Sequence, residues 1–292
     1  MMSITSEQIA QAKGRGFLRN RGTDNFSARV VTSGGVYTAA QLRAVSECAE
    51  KYGCGKVVFT SRLSAEITGI PFENLAPVEA FIAQNGLEVG GTGPKVRPIT
   101  ACKGTTCTFG NIDTQELAHT LHTRFYQGMH DVKLPHKFKI GVGGCPNSCM
   151  KPSLNDIGIE GYRVYEFDAA KCRGCAACAV AAACPSHAVH AENGRAVIDK
   201  AVCMDCGVCV GKCPFGAVPE TAQALCRVYV GGTWGRTQRV GTPLDKMIPV
   251  GDVPDFVGKA IDWYRENGLP KERFAKTLER VGMDAFLRAM EA

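Results

Sequence analysis

The sequence predicts an α+β fold interrupted by a compact cysteine-rich insertion. Three observations lead there. Short β-patterned runs alternate with helical patterns through residues 1–92 and 93–167. Eight cysteines crowd into residues 168–219. A β pattern then resumes at once in CRVYVGGTWGR, residues 226–236. Strand pattern on both sides of a cysteine-dense block reads as one parent domain carrying a second module. Four segments follow: a small α+β unit (1–92), the first part of a larger domain (93–167), the insertion (168–219), and the remainder of the larger domain with C-terminal helices (220–292).

FSARVVT (26–32) is strand-like, and Thr38 to Tyr52 is helical, opening on the capping box Thr38-x-x-Gln41 and stopping at Gly53. KVVFTSR (56–62) reads as a strand and Pro77 to Asn85 as a helix ended by Gly86. VRPIT (96–100) is a strand, residues 114–127 form a helix capped by Asp113 or Thr114, and LPHKFKIGVGG is a further strand. Residues 155–167 continue as strands. The tail 255–290 holds two or three helices, broken at Gly268-Leu269-Pro270 and at Gly282.

Composition narrows the function. The chain has 292 residues, 45% hydrophobic and 21% charged, which suits a folded globular protein rather than a disordered one. Its net charge of +6 is mild, and no basic run tracks with aromatics, so nucleic acid is not expected as a partner. Residues 1–17 lack an apolar core of the secretory kind, and no segment has the ~20 apolar residues that span a bilayer. Fifteen cysteines, clustered and odd in number, argue against a disulfide scaffold in a chain long enough to bury its own core. Metal-bound thiolates in a reducing cytoplasm are the expectation.

The insertion carries two runs: Cys172-x2-Cys175-x2-Cys178-x5-Cys184-Pro185 and Cys203-x2-Cys206-x2-Cys209-x3-Cys213-Pro214. This is the spacing of bacterial two-cluster ferredoxins. Each run there gives three thiolates to one 4Fe-4S cluster and its last cysteine to the other. Cys172, Cys175, Cys178 and Cys213 are therefore assigned to one cluster, and Cys203, Cys206, Cys209 and Cys184 to the second. The x5 gap before Cys184 exceeds the usual x3, which a ligand serving the distant cluster tolerates. Zinc is the competing reading, but paired zinc sites do not repeat C-x2-C-x2-C.

A third group is Cys102-x4-Cys107 followed by Cys145-x3-Cys149. Neither half has the C-x2-C of a zinc site, so a third cubane is expected, with Gly143, Gly144 and Pro146 turning the backbone so that amides aim at sulfur. Cys48, Cys54 and Cys226 are left over and read as buried inert thiols. Lys137 and Lys139, two apart on a strand, share a face; Arg97 precedes Cys102 and Arg62 ends a strand. If these four converge they form an anion pocket; otherwise they are a solvated surface. His119, His122, His130 and His136 read as ordinary surface or core histidines. GVGGCP lacks the third glycine of a dinucleotide fingerprint, and GGTGPK lacks P-loop spacing.

TSRLSAEITGI, KVRPITAC, LPHKFK and GCPNSC, in that order, resemble the nitrite/sulfite reductase family, the siroheme and 4Fe-4S enzymes. The likeness covers about residues 26–165, and CRVYVGG extends it beyond the insertion. It is nearest to compact or dissimilatory-type sulfite reductase subunits, which carry a ferredoxin in the same place. The resemblance implies a ferredoxin-like half-domain, a siroheme/4Fe-4S α/β domain and an inserted two-cluster ferredoxin. It implies siroheme plus three 4Fe-4S clusters, with Cys102, Cys107, Cys145 and Cys149 holding the catalytic cubane and Cys149 also ligating the siroheme iron. Arg62, Arg97, Lys137 and Lys139 match the family's basic residues around substrate oxygens and siroheme carboxylates. The x4 spacing of the first pair departs from the family's x5.

The implied activity is six-electron reduction of sulfite to sulfide, fed through the ferredoxin clusters by an electron-donor protein or reductase subunit. Nitrite reduction is the alternative within the family; an iron–sulfur electron-transfer subunit without siroheme is the alternative outside it. The family builds each site from two homologous halves and this chain has one, so the resemblance implies a homodimer or a paralogous partner, with the basic residues facing the partner's siroheme.

Overall fold

The computed structural model describes residues 4–291. The N-terminal unit runs α1 (Ser6–Gly14), β1 (Phe17–Arg19), β2 (Phe26–Val31), α2 (Ala39–Tyr52), β3 (Val57–Phe59), β4 (Ala65–Ile70), α3 (Leu75–Gln84) and β5 (Glu88–Val89). Its antiparallel sheet has the order β1-β2-β4-β3, with β5 also on β2. Thr38 and Gln41 cap α2 reciprocally, as their spacing predicts, and Thr5 and Gln8 do the same for α1. Phe17, Phe26, Val45, Ile67 and Ile82 fill the space between sheet and helices.

Two elements here escaped the sequence pattern. SEQIAQAKG buries only Ala12, so α1 shows no apolar stripe. The stretch 56–62 is not one strand: β3 ends at Phe59, the chain turns with Leu63 left-handed at φ +62°, and β4 returns antiparallel. Arg62 thus sits at a hairpin tip.

The second unit begins with β6 (Thr100–Ala101), α4 (Thr114–Leu121), β7 (Ile140–Gly143) and β8 (Ile157–Val164). The insertion follows, with α5 (Ala179–Ala183), β9 (Val189–Glu192) and β10 (Arg195–Ile198). The chain returns through β11 (Gln223–Val230), β12 (Thr242–Pro243) and β13 (Ile248–Pro249) to α6 (Val253–Asn267), α7 (Phe274–Val281) and α8 (Met283–Glu291). The sheet order is β12-β11-β8-β7-β6, with β13 also on β11. β6, β7 and β8 run parallel, and β11 lies antiparallel to β8.

The expected strands 96–100 and 134–144 shrink to β6 and β7, because Pro98 and Pro135 remove ladder donors; only a Val96–Phe138 bridge extends the pairing. The expected helix 114–127 turns π-helical from His122 to Gln127, and Asp113 caps α4. Phe138, Trp263, Tyr264, Phe274 and Phe286 pack edge to face and seat the C-terminal helices on the sheet.

Val164 and Gln223 are cross-strand partners in β8 and β11, so the chain leaves and re-enters the sheet at one place. The segment between them builds its own small core from Tyr165, Val180, Val189, Val218 and Ala222.

Candidate functional site

The three parallel strands have two ends, and the predicted residues divide between them. At the carboxyl ends, β6 leads into Cys102 and β7 into Cys145. The loops after these strands cross backbone against backbone. A Cβ on Gly144 would stand 3.0 Å from the Cα of Gly104 and 3.2 Å from Thr114 Cγ2, so a side chain there would crowd the crossing. Gly144 N–H donates to Cys102 Sγ at 3.2 Å. The Cys102 carbonyl accepts from Thr114 Oγ1 (2.7 Å) and Gln115 Nε2 (2.9 Å), which tie the loop to α4. Burial foremost, then the neighbouring Cys102, Cys149 and Cys107 sulfurs, raise the Cys145 thiol against an opposing hydrogen bond from the Asn147 backbone. The four cysteines of the third group are thus brought together.

The eight cysteines of the insertion line two cavities. Cys172, Cys175, Cys178 and Cys213 line one cavity of about 460 Å³. Cys184, Cys203, Cys206 and Cys209 line another, of about 10 Å³. Ala196 N–H points at Cys172 Sγ (3.4 Å), and Tyr165 Oη lies 2.9 Å from Cys209 Sγ. Among the described residues, no three His, Cys, Asp or Glu converge tightly enough for a single metal ion. Four thiolates in each group are a donor set that fits soft iron–sulfur cubes.

The cations gather at the opposite ends of the same strands. Arg62 reaches across from its hairpin to donate to Asn155 Oδ1 (2.9 Å) and the Pro98 carbonyl (2.8 Å). Arg97 hydrogen-bonds the Gly91 carbonyl. Lys139 precedes β7, and its backbone N–H donates to Asp156 Oδ2 at 2.8 Å. Burial, then neighbouring cations, lower the basic groups. Arg62 falls to about 10, with Arg97 the leading neighbour, and Arg97 to about 10, with Arg29 leading. Lys139 falls to about 8, beside Arg62 and Arg273, and Lys137 is lowered by the same kinds of cause.

Two cations of this cluster were not foreseen. Arg29 on β2 pairs with Glu66 (2.7 Å), and Arg273, at the start of α7, forks onto Asp156 (2.9 and 3.0 Å). Burial pushes the fully enclosed Asp156 carboxyl up, and Arg273 pulls it back down. Buried Nε atoms of Arg62, Arg97 and Arg273 have no partner. Unsatisfied donors on this many cations fit an anionic ligand rich in oxygen. Lys137 and Lys139 are both partly buried beside this cluster.

Within one chain the cations and the third cysteine group stand at opposite ends of the same strand. β7 separates them. Lys139 lies before it and Cys145 after it, roughly 20 Å of extended chain apart. Pro152 then packs on Gly143 and Asn155 on Gly141, so the chain retraces β7 from the cysteine end to the cation end. One expectation about the spare thiols is corrected. Cys48 and Cys226 are buried, their thiols raised by desolvation to about 11 and about 12, but Cys54 is exposed because α2 has already ended at Gly53. His119 and His130 are exposed, whereas His122 is buried and lowered by burial to about 4.

No helix among the described residues is long and apolar enough to cross a membrane. The family described as nitrite and sulphite reductase 4Fe-4S domain matches residues 92–292. The nitrite/sulfite reductase ferredoxin-like half domain matches residues 19–85. Coenzyme F420-dependent sulfite reductase of Methanocaldococcus jannaschii is 31% identical over 261 residues, 88% of this chain and 41% of that protein. One polypeptide of the anaerobic sulfite reductase of Salmonella typhimurium is 33% identical over 261 residues, 82% of this chain and 74% of that polypeptide. The crystal structure of dissimilatory sulfite reductase I (DsrI) superposes with a TM-score of 0.72 at 22% identity, covering 92% of this chain and 69% of that one, so the fold is shared. With its ferredoxin-like half domain, its crossed cysteine loops and a match that runs over 92–292, the chain belongs to the nitrite and sulphite reductase family.

Proposed function

We propose that this chain reduces sulfite to sulfide with siroheme and three 4Fe-4S clusters. The balanced change adds six electrons and seven protons to sulfite, giving hydrosulfide and three waters. The observation that carries the reading is the cation cluster: Arg29, Arg62, Arg97, Lys137, Lys139 and Arg273 gather around two carboxylates, with three guanidinium Nε atoms unpartnered. The multiply carboxylated siroheme and the sulfite dianion both call for such a surface. The names of the F420-dependent and anaerobic sulfite reductases favour sulfite over nitrite.

Siroheme, when bound, would supply the redox-active iron for sulfite reduction. The chain does the rest. Cys149 would supply a thiolate to the cluster beside the siroheme. Cys102, Cys107 and Cys145 complete the cubane's ligands. Arg62 and Arg97 hold substrate oxygens with forked, charge-assisted hydrogen bonds. Lys139, lowered to about 8, releases a proton near neutral pH more readily than a free lysine and would protonate a departing oxygen. The ferredoxin cysteines receive electrons from a separate donor protein, and all these thiolates suit a reducing compartment such as the cytoplasm.

Because cations and cysteines occupy opposite strand ends, the second half of each site comes from a second copy or a paralogue, related by a two-fold axis. The test is anaerobic purification with iron and siroheme counted, then sulfite and nitrite compared as substrates. The reading expects a Soret band, a red band and faster sulfite turnover. Arg97→Ala keeps the pigment and loses most activity. A preparation without siroheme after reconstitution contradicts the reading.

A further inference from the structure

Asn111 touches two cysteine loops that belong to different groups. It is buried, 8% exposed. Its backbone N–H donates to the Gly144 carbonyl at 2.8 Å, one residue before Cys145. Its side-chain Nδ2 donates to the Cys206 carbonyl at 3.2 Å and to the Gly161 carbonyl of β8 at 3.3 Å. Two carbonyl acceptors fix which end of the amide points inward. Its Oδ1 lies over Gly207, where a Cβ would come within 2.8 Å of it; Gly207 has φ +75°. A second tether, Arg163 N–H to the Asp205 carbonyl (2.9 Å), holds the same loop on β8.

A cavity of about 350 Å³ separates these loops, with Cys145, Pro146 and Phe109 on one wall and Pro185, Met204 and Cys206 on the other. The cavity of Cys172, Cys175, Cys178 and Cys213 is lined only by residues between Phe167 and Ala217, so it stands apart from the third group.

We propose that Asn111 is a positioning residue for electron transfer: it clamps the Cys203–Cys209 loop against the Cys145 loop and carries the hydrogen-bonded contact between the two centres. This rests on the three-cluster reading above. It also orders the relay. A low-potential one-electron donor fills the outer site at Cys172. The electron passes to the site at Cys206, then across Asn111 to the site at Cys145; each transfer oxidises one site and reduces the next by one electron. A hydrogen bond conducts electronic coupling better than an open gap, and the clamp fixes the separation on which tunnelling depends.

The experiment uses the holoprotein and Asn111→Leu, similar in size but without the amide, with Asn111→Asp as the second variant, which keeps the shape and removes the donor. Each is reduced with titanium(III) citrate and mixed rapidly with sulfite while reoxidation of the ferredoxin centres is followed. The expected result is a fall of roughly ten-fold or more in that rate, with iron and siroheme contents unchanged and faster amide hydrogen exchange in residues 203–209. A rate within about two-fold of the parent overturns the proposal. So does loss of iron from both variants, which makes Asn111 a structural residue alone. If the parent itself holds no siroheme, the proposed function fails instead; unchanged hydrogen exchange in 203–209 then overturns the clamp separately.

Discussion

Lys139 and Cys145 bracket one four-residue strand: the lysine stands immediately before β7, and the cysteine follows it after a single glycine. Side chains on a short parallel strand cannot bring its two ends together. The chain therefore presents its cations and its thiols at different ends of that strand. On the proposed function, a two-fold axis between copies would bring the cations of one to the thiolates of the other.

Lys139 makes anion binding depend on pH in a defined direction. Its folded value, about 8, lies below the ordinary 10.5 because burial and Arg62 disfavour its charge. A dianion beside it restores the charge and raises the value again. Below pH 8 the lysine is already protonated, and binding takes up no proton. Above pH 8 binding draws a proton from the buffer, and affinity falls by up to about ten-fold per pH unit. Calorimetric titration with sulfate, in buffers of different ionisation enthalpy at pH 7 and pH 9, checks this; Lys139→Met abolishes the difference. Without anion, the folded state gains stability as pH rises from about 8 toward 10.5, because the unfolded lysine keeps its proton longer.

Arg273 and Asp156 set the stability of the cation end. Asp156 is fully buried, and Arg273 supplies both of its charge-assisted side-chain hydrogen bonds. Arg273→Met leaves a buried carboxylate without its partner and costs about 3–5 kcal/mol in urea unfolding. The double variant Asp156→Asn/Arg273→Met recovers part of that loss, since no unpaired charge remains.

The exchange of last cysteines between the two insertion runs predicts which substitutions overlap. Cys213 shares a cavity with Cys175, not with Cys206. Cys213→Ser combined with Cys175→Ser therefore loses no more iron than either alone, whereas Cys213→Ser with Cys206→Ser loses about twice as much. Iron analysis of the reconstituted proteins reads this directly. Additive loss for the first pair contradicts the assignment.

Which cysteines share a cavity was legible because the C-x2-C-x2-C spacing is local, and Cys172 to Cys213 display it in 42 consecutive residues. The capping box at Thr38 and the resumed strand at Cys226 were legible for the same reason, being local. What joins distant segments was not. Arg273 lies 117 residues from Asp156, and no local pattern links them. One signal was present: a cation at the start of α7 opposes the helix dipole, so its partner had to be elsewhere. Arg29 carried another, a charge within the apolar strand FSARVV. The separation of cations from cysteines needed strand direction, because β6, β7 and β8 could be placed in parallel only once their pairing was known.

The shared site is tested most directly by mixing two defective chains. One copy carries Lys139→Met and the other Cys149→Ser, each nearly inactive by itself. In a mixed dimer the intact cysteine of the first chain meets the intact lysine of the second, and one of the two sites is whole. Random mixing then restores about a quarter of the parent's sulfite turnover. A mixture as inactive as its two components places Lys139 and Cys149 in the same chain's site and contradicts the account.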